Sequence, residues 1–256
     1  MPELISLKDV SVMRDGHVVL RRLAWSTRPG EHWFVMGENG SGKTTLMEVL
    51  TGYQWPSRGK AMVAGGVFGQ TSMLDLRQRV GYVSPWIFKR MPPETRVDDV
   101  VASGFEGSAG FLTRRTAKVV KASRAVLKEF GCLGLACREF GTLSSGEQFK
   151  VMVARAVVNH PVILVLDEPF AALDVAARAQ MYRELCRIAA RKDAPQVILV
   201  THHFEDIQPF FTHGLFLRNG RCVAQGVRRH VLRPGVLSRG LGLSVNKRPV
   251  KTPFAT

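Results

Sequence analysis

Residues 37–45 read GENGSGKTT. Glycines 37, 40 and 42 let backbone N–H groups turn inward, because a residue without Cβ bends where others clash. Bared N–H groups at a helix start, followed by a lysine, make a place for phosphates. The spacing GxxxxGK(S/T) puts Lys43 in reach of β- and γ-phosphates and gives the Thr44 hydroxyl to Mg²⁺. Asn39, Ser41 and Thr45 belong to the same phosphate-binding stretch. A second stretch, VILVLDE (162–168), carries two carboxylates. Its apolar residues hold a strand rigidly in a core. Asp167 then emerges at the carboxyl end, where ligands collect in α/β sheets, and can hold Mg²⁺ through water. Glu168 points elsewhere and can polarise a water against the terminal phosphate.

These residues need a sheet to position them. LISLKDVSVM and HVVLRRLAW alternate apolar and polar residues around Asp15-Gly16, the pattern of a hairpin. HWFVMG reads as a buried strand entering the glycine loop, and KTTLMEVLTG as the next helix, closed by Gly52. GKAMVAG is another short strand. A helical segment is expected from about 94 to 159, and within it TAKVVKASRAVLKEFG lines up Val119, Ala122, Val126 and Phe130. VILVLD and QVILVTH are continuous apolar strands with a helix between them, its Met181, Leu185, Ile188 and Ala189 on one side. LFLRNGRCVAQG turns at Asn219-Gly220 as a hairpin. The expected fold is α/β: a P-loop NTPase with a parallel core sheet covered by helices on both faces, an N-terminal antiparallel β-subdomain and an inserted α-helical lobe. One domain should span 1–240, with a weakly ordered tail over 241–256.

The bulk composition narrows the classes. The chain has 256 residues, 45% of them hydrophobic and 22% charged, enough for a sizeable core. It opens without a secretion signal, and no apolar run approaches the roughly 18 residues of a membrane span, so a soluble intracellular protein is expected. Cysteines at 132, 137, 186 and 222 form no CxxC pair and read as buried thiols. The net charge of +15 draws anions. It is scattered along the chain rather than gathered in a block, so a nucleic-acid tail is not indicated, although a basic face stays open.

LSSGEQ (143–148) completes the pattern. With the phosphate loop, the helical insertion, LDEP, ALD (172–174) and THH (201–203) in this order, the chain resembles the nucleotide-binding domain of ABC ATPases over almost its whole length. The VS of GYVSP resembles, loosely, the single-domain subgroup related to molybdenum-transport ATPases. The resemblance implies that Ser144, Ser145 and Gly146, at a helix start, bind the γ-phosphate of ATP held by an opposite subunit. It implies that His202 contacts the γ-phosphate and helps order the attacking water, and that Asp174 communicates between two sites. It implies ATP with Mg²⁺, a second such subunit in a homodimer, integral membrane transporter subunits as partners, and a place on the cytoplasmic face of the membrane.

This sequence departs from the family pattern in four places. Ser145 replaces a glycine and Glu147 a glutamine. Arg14 stands near the place of an adenine-stacking aromatic, where its planar guanidinium could stack or simply lie in solvent. Pro85, after Ser84, occupies the place of a glutamine that reaches Mg²⁺ and the attacking water. Ser84 could take that role only through a water. Trp86, Ile87 and Phe88 follow, either as anchors for a membrane partner or as cover for the helical lobe. The leading expectation is an ATP hydrolase that drives membrane transport. The alternatives are a soluble ABC ATPase acting on ribosomes or nucleic acid, and a slow regulatory ATPase.

Overall fold

The computed structural model describes residues 3–107, 114–170 and 173–241. Strands β1 (Ile5–Arg14) and β2 (His17–Thr27) form an antiparallel hairpin. Asp15 and Gly16 have φ of 50° and 76°, the left-handed pair that a tight two-residue turn needs. β3 (Trp33–Met36) leaves this layer and runs into helix α1 (Lys43–Leu50). β4 (Arg58–Val63) and β5 (Gly66–Val67) return to it, in the order β2-β1-β4-β5. This is the N-terminal antiparallel subdomain read from the alternating pattern.

Helix α2 (Met73–Arg79) feeds β6 (Val80–Val83), and α3 (Pro85–Phe88) follows directly after Ser84. The helical lobe comes next, with α4 (Val97–Ala102), α5 (Ala117–Glu129) and α6 (Ser145–Val157). Within it Asp98, fully buried, ties α4 to α5 by accepting from Arg96, Arg115 and Arg124 at 3.2, 3.4 and 2.9 Å. Then come β7 (Ile163–Asp167), α7 (Val175–Ala189), β8 (Gln196–Val200), β9 (His213–Arg218) and β10 (Arg221–Val227). The second sheet has the order β10-β9-β3-β8-β7-β6. Strands β9, β3, β8, β7 and β6 are parallel, and β10 folds back antiparallel on β9 at Asn219 and Gly220. β3, β6, β7 and β8 are buried along their whole length, as strands covered on both faces must be.

Three expectations are corrected. In α5 the buried stripe is Ser123, Val126 and Leu127, while Val119 and Ala122 are half-buried. Ser123 tolerates the interior because its hydroxyl donates to the Val119 carbonyl at 2.9 Å. Val162 is exposed at the corner after Pro161, and β7 begins one residue later. Cys132 is buried and Cys222 half-buried, but Cys137 and Cys186 are exposed. Cys186 falls on the outer side of α7, away from Met181, Leu185 and Ile188. Cys137 accepts from the Arg96 and Arg124 guanidiniums at 3.3 and 3.5 Å. From residue 242 on, the expected tail lies outside the described residues, as does Ala172. Among the described residues no helix is long and apolar enough to cross a membrane.

Candidate functional site

The site follows from strand register. β7 pairs Asp167 with Val200 of β8, and β3 pairs Val35 with the same Val200. Three parallel strands therefore end level, and Gly37, Thr201 and Glu168 fall just beyond them on one edge. Backbone bonds continue the lacing there, from Glu168 N–H to the Val200 carbonyl (3.0 Å) and from Thr201 N–H to the Val35 carbonyl (3.2 Å).

The phosphate loop leaves β3 at this edge. Gly37 sits so close to the next strand that a Cβ would stand 2.2 Å from the Leu217 carbonyl oxygen. Gly42 caps α1 with φ 102° and no side chain, and no acidic residue stands in the first turn. The helix thus presents bare N–H groups and its positive dipole end. Lys43 is 5% exposed, and its Nζ donates to the carbonyls of Gly37 and Glu38 at 2.8 and 3.0 Å. Burial pulls its pKa below the ordinary lysine value, against the opposing charges of Glu168 and Asp167. Ser41 Oγ is buried with no hydrogen-bond partner. Such a group costs about 1–3 kcal/mol unless something satisfies it, and an anion's oxygens would do so. Thr44 is exposed while Thr45 turns inward, and Asn39 and Gly40 lie on the outer rim.

Asp167, 4% exposed, faces this loop. Burial first, then the charge of Glu168, pushes its carboxyl pKa up to about 6, while Tyr82, Lys43 and Thr44 pull the other way. A carboxylate and a hydroxyl beside a phosphate site make a hard oxygen set. That suits Mg²⁺, which keeps waters and takes one or two carboxylates with phosphate oxygens. Glu168 has φ 47°, uncommon for a residue with a Cβ and a form of strain often kept at working sites. Its Oε1 stands 3.5 Å from His202 Nδ1, and both side chains are partly open to water. The neighbouring His203 ring lies against His202 at a tilt of 40°, with centroids 4.0 Å apart, and its backbone N–H donates to the Thr201 hydroxyl at 3.0 Å.

Residues 20–171 match the ABC transporter family, ABC_tran. The chain belongs to the ABC transporter family. The uncharacterized ABC transporter ATP-binding protein YlmA of Bacillus subtilis is 32% identical, over 92% of this chain and 89% of its own length. The molybdate/tungstate import ATP-binding protein WtpC of Pyrococcus horikoshii is 34% identical, over 88% of this chain and 63% of its own length. A nucleotide-free ATP-binding cassette from an ABC transporter superposes with a TM-score of 0.79, over 92% of this chain and 98% of its own. At 19% identity that likeness establishes the shared fold.

The ABC signature stretch forms a second centre. Ser144 caps α6: its Oγ accepts from the Glu147 N–H at 3.3 Å, and Glu147 Oε2 accepts from the Ser144 N–H at 2.9 Å. This reciprocal pair is a capping box, and it gives the Glu147 carboxylate a structural role at the start of α6. The bond from the Ser144 backbone holds the Glu147 carboxyl below its ordinary pKa. Ser145 is exposed and Gly146 half-exposed. A Cβ on Gly146 would stand 3.3 Å from Ala177 Cβ, so the starts of α6 and α7 touch. Asp174 caps α7 there, accepting from the Ala177 N–H at 2.8 Å. The fold thus gathers Lys43, Asp167, Glu168 and His202 at one place and Ser144, Gly146 and Asp174 at another.

The departures from the family pattern have their own geometry. Arg14 is exposed, but its guanidinium is held rather than free. It donates to Glu48 of α1 at 2.8 Å and to Gln54 at 3.3 Å. Ser84 is buried and spends its hydroxyl as the cap of α3, accepting from the Ile87 N–H at 3.3 Å. Pro85 is the first helical residue, where its missing N–H costs nothing. Ile87 is 1% exposed, and Phe88 packs against Phe140 and Phe149 at 6.3 Å between centroids. Trp86 is the most exposed of the three, at 37%, with the Arg90 guanidinium 4.2 Å from its ring centre, while Phe88 is half-buried. Sequence reasoning missed Tyr82, whose hydroxyl donates to Asp167 Oδ2 at 3.4 Å. The sequence carries no signal for this meeting, which depends on the register that pairs Tyr82 of β6 with Val165 of β7.

Proposed function

We propose that this chain is the ATP-hydrolysing subunit of an ABC transporter, acting as a head-to-tail homodimer on the cytoplasmic face of the membrane and moving separate integral membrane subunits. The observation that supports this best is the split of the site. The phosphate loop, Asp167, Glu168 and His202 meet at one sheet edge, while Ser144, Ser145 and Gly146 start a helix whose bonds run to its own lobe. Two copies in opposite orientation bring each α6 start to the other's phosphate loop. Lys43 and the loop N–H groups hold the β- and γ-phosphates, with Ser41 satisfied by the same anion. Thr44 and Asp167 would hold Mg²⁺, which would supply neutralisation of the phosphate charge. Glu168 takes the proton of the attacking water. His202 orients it and donates to the γ-phosphate. Trp86 is the residue of α3 left to meet a membrane subunit.

Glu168→Gln should bind ATP, lose turnover and accumulate as a dimer by light scattering. A monomer at saturating ATP would sink the shared site. The charge of +15 supports a second reading, a soluble ATPase on ribosomes or nucleic acid. Affinity purification from detergent-solubilised cells separates the two: an integral membrane protein co-purifies under the first, ribosomal components under the second.

A further inference from the structure

In this chain the place of the metal-reaching glutamine holds Pro85, which has no side-chain donor, and the Ser84 hydroxyl is committed to capping α3. The strand before them supplies another group. β6 and β7 run parallel with Tyr82 paired to Val165, and Asp167 lies two residues beyond Val165, on the same face. The Tyr82 side chain therefore leans along the sheet toward the carboxylate. It is 5% exposed, and its hydroxyl donates to Asp167 Oδ2 at 3.4 Å, a long bond of the kind that tightens once a ligand draws the acceptor into place. Ser84, two residues further along the chain, caps α3, so the tyrosine links this corner of the chain to the carboxylate. The ring is held from the other side by Tyr53 at 6.1 Å, and Tyr53 is clamped between Trp86, 5.0 Å from it, and the Arg77 guanidinium, 4.3 Å from its centre.

We propose that Tyr82 is a positioning residue for Asp167, tying the metal-binding carboxylate to the capped start of α3 in place of the glutamine. This rests on the reading of Asp167 as a Mg²⁺ ligand. A buried carboxylate with one fixed oxygen meets a cation with less reorganisation than a free one. α3 reaches the site through packing and a hydroxyl rather than through a side chain of its own.

The test is a titration of a fluorescent ATP analogue with the full chain, in EDTA and across a Mg²⁺ series, for wild type, Tyr82→Phe and Lys43→Ala. Phenylalanine keeps the ring packed against Tyr53 and removes only the hydroxyl. Tyr82→Phe should bind the nucleotide in EDTA within about twofold of wild type, while the Mg²⁺ concentration for half-maximal tightening rises about three- to tenfold, the worth of one modest hydrogen bond. An unchanged Mg²⁺ midpoint overturns the proposal. Equal weakening with and without Mg²⁺ also overturns it, since the tyrosine then acts through packing alone. A wild type that binds no nucleotide, or binds it equally with and without Mg²⁺, overturns the assignment of the phosphate loop and Asp167, and the proposal with it.

Discussion

Helices α1 and α6 both begin at a serine-and-glycine turn, yet they end their backbones on opposite terms. At α1 the cap is Gly42, no side chain accepts from the first turn, and the hydroxyl of Ser41 is buried without a partner. At α6 the cap is Ser144, its hydroxyl and N–H both bonded within the capping box. One helix start is left open at a cost in stability, and the other is closed on itself. Under the proposed division of the site, the difference teaches which half must be preformed. The half proposed to grip the nucleotide keeps its N–H groups bare and its lysine desolvated, a cost that an anion would repay on binding. The half proposed to arrive from another copy would have to hold its shape alone until then.

The comparison breaks most readily at Lys43. Its buried ammonium donates to two loop carbonyls, which on the proposed reading it would exchange for phosphate oxygens. Lys43→Ala should weaken nucleotide binding on the order of a hundredfold, the worth of a charge-assisted bond in a dry site, by calorimetry. Unchanged affinity would mean that the open end of α1 is only a turn.

The open half should also be the half that stores instability, and Asp167 tests this. Its pKa is pushed up to about 6, mainly by burial, above the ordinary aspartate value of 3.8. The folded protein holds this proton more tightly than the unfolded chain does. That advantage is fully present below about pH 4 and is lost as pH rises through 6. At neutral pH, without Mg²⁺, Asp167→Asn should therefore raise stability on the order of 2 kcal/mol. The gain should shrink toward zero as the pH falls to 4. Denaturant melts at a series of pH values check it, and a destabilised variant at pH 7 would show that Lys43 and Tyr82 more than offset the burial.

How much of this was legible depends on the distance over which each feature is decided. The glycine loop, the hairpin at Asp15-Gly16 and the buried strands are local patterns, and they stand where the residues placed them but for Val162, which falls outside β7. The capping of α6 by Glu147 is also local, three residues from its partner, and was within reach of the sequence. Arg14 was not, because its partner Glu48 lies on another element. Tyr82 was not, because its meeting with Asp167 depends on the register between β6 and β7. Trp86, Ile87 and Phe88 looked alike in a row, and only the packing of α3 sets Trp86 outward, Ile87 inward and Phe88 half-buried against Phe140 and Phe149. The positive φ of Glu168 carries no sequence mark at all, since glutamate rarely adopts it.

The smallest effects belong to the closed half, and there the sign should reverse. Ser144→Ala removes the cap and should cost about 1 kcal/mol, where Asp167→Asn gains. Glu147→Gln keeps an acceptor for the Ser144 N–H and removes only the charge, so its cost in stability should be a few tenths of a kcal/mol, the part owed to the helix dipole. The same substitution takes a negative charge from the helix start proposed to meet a phosphate. ATP-driven association of the Glu168→Gln background should therefore tighten when Glu147→Gln is added, read as a lower protein concentration at half-dimer. If Glu147→Gln instead destabilises the chain as much as Ser144→Ala, the charge rather than the cap geometry holds α6. The closed half would then be an electrostatic device, weakened by salt as the cap is not.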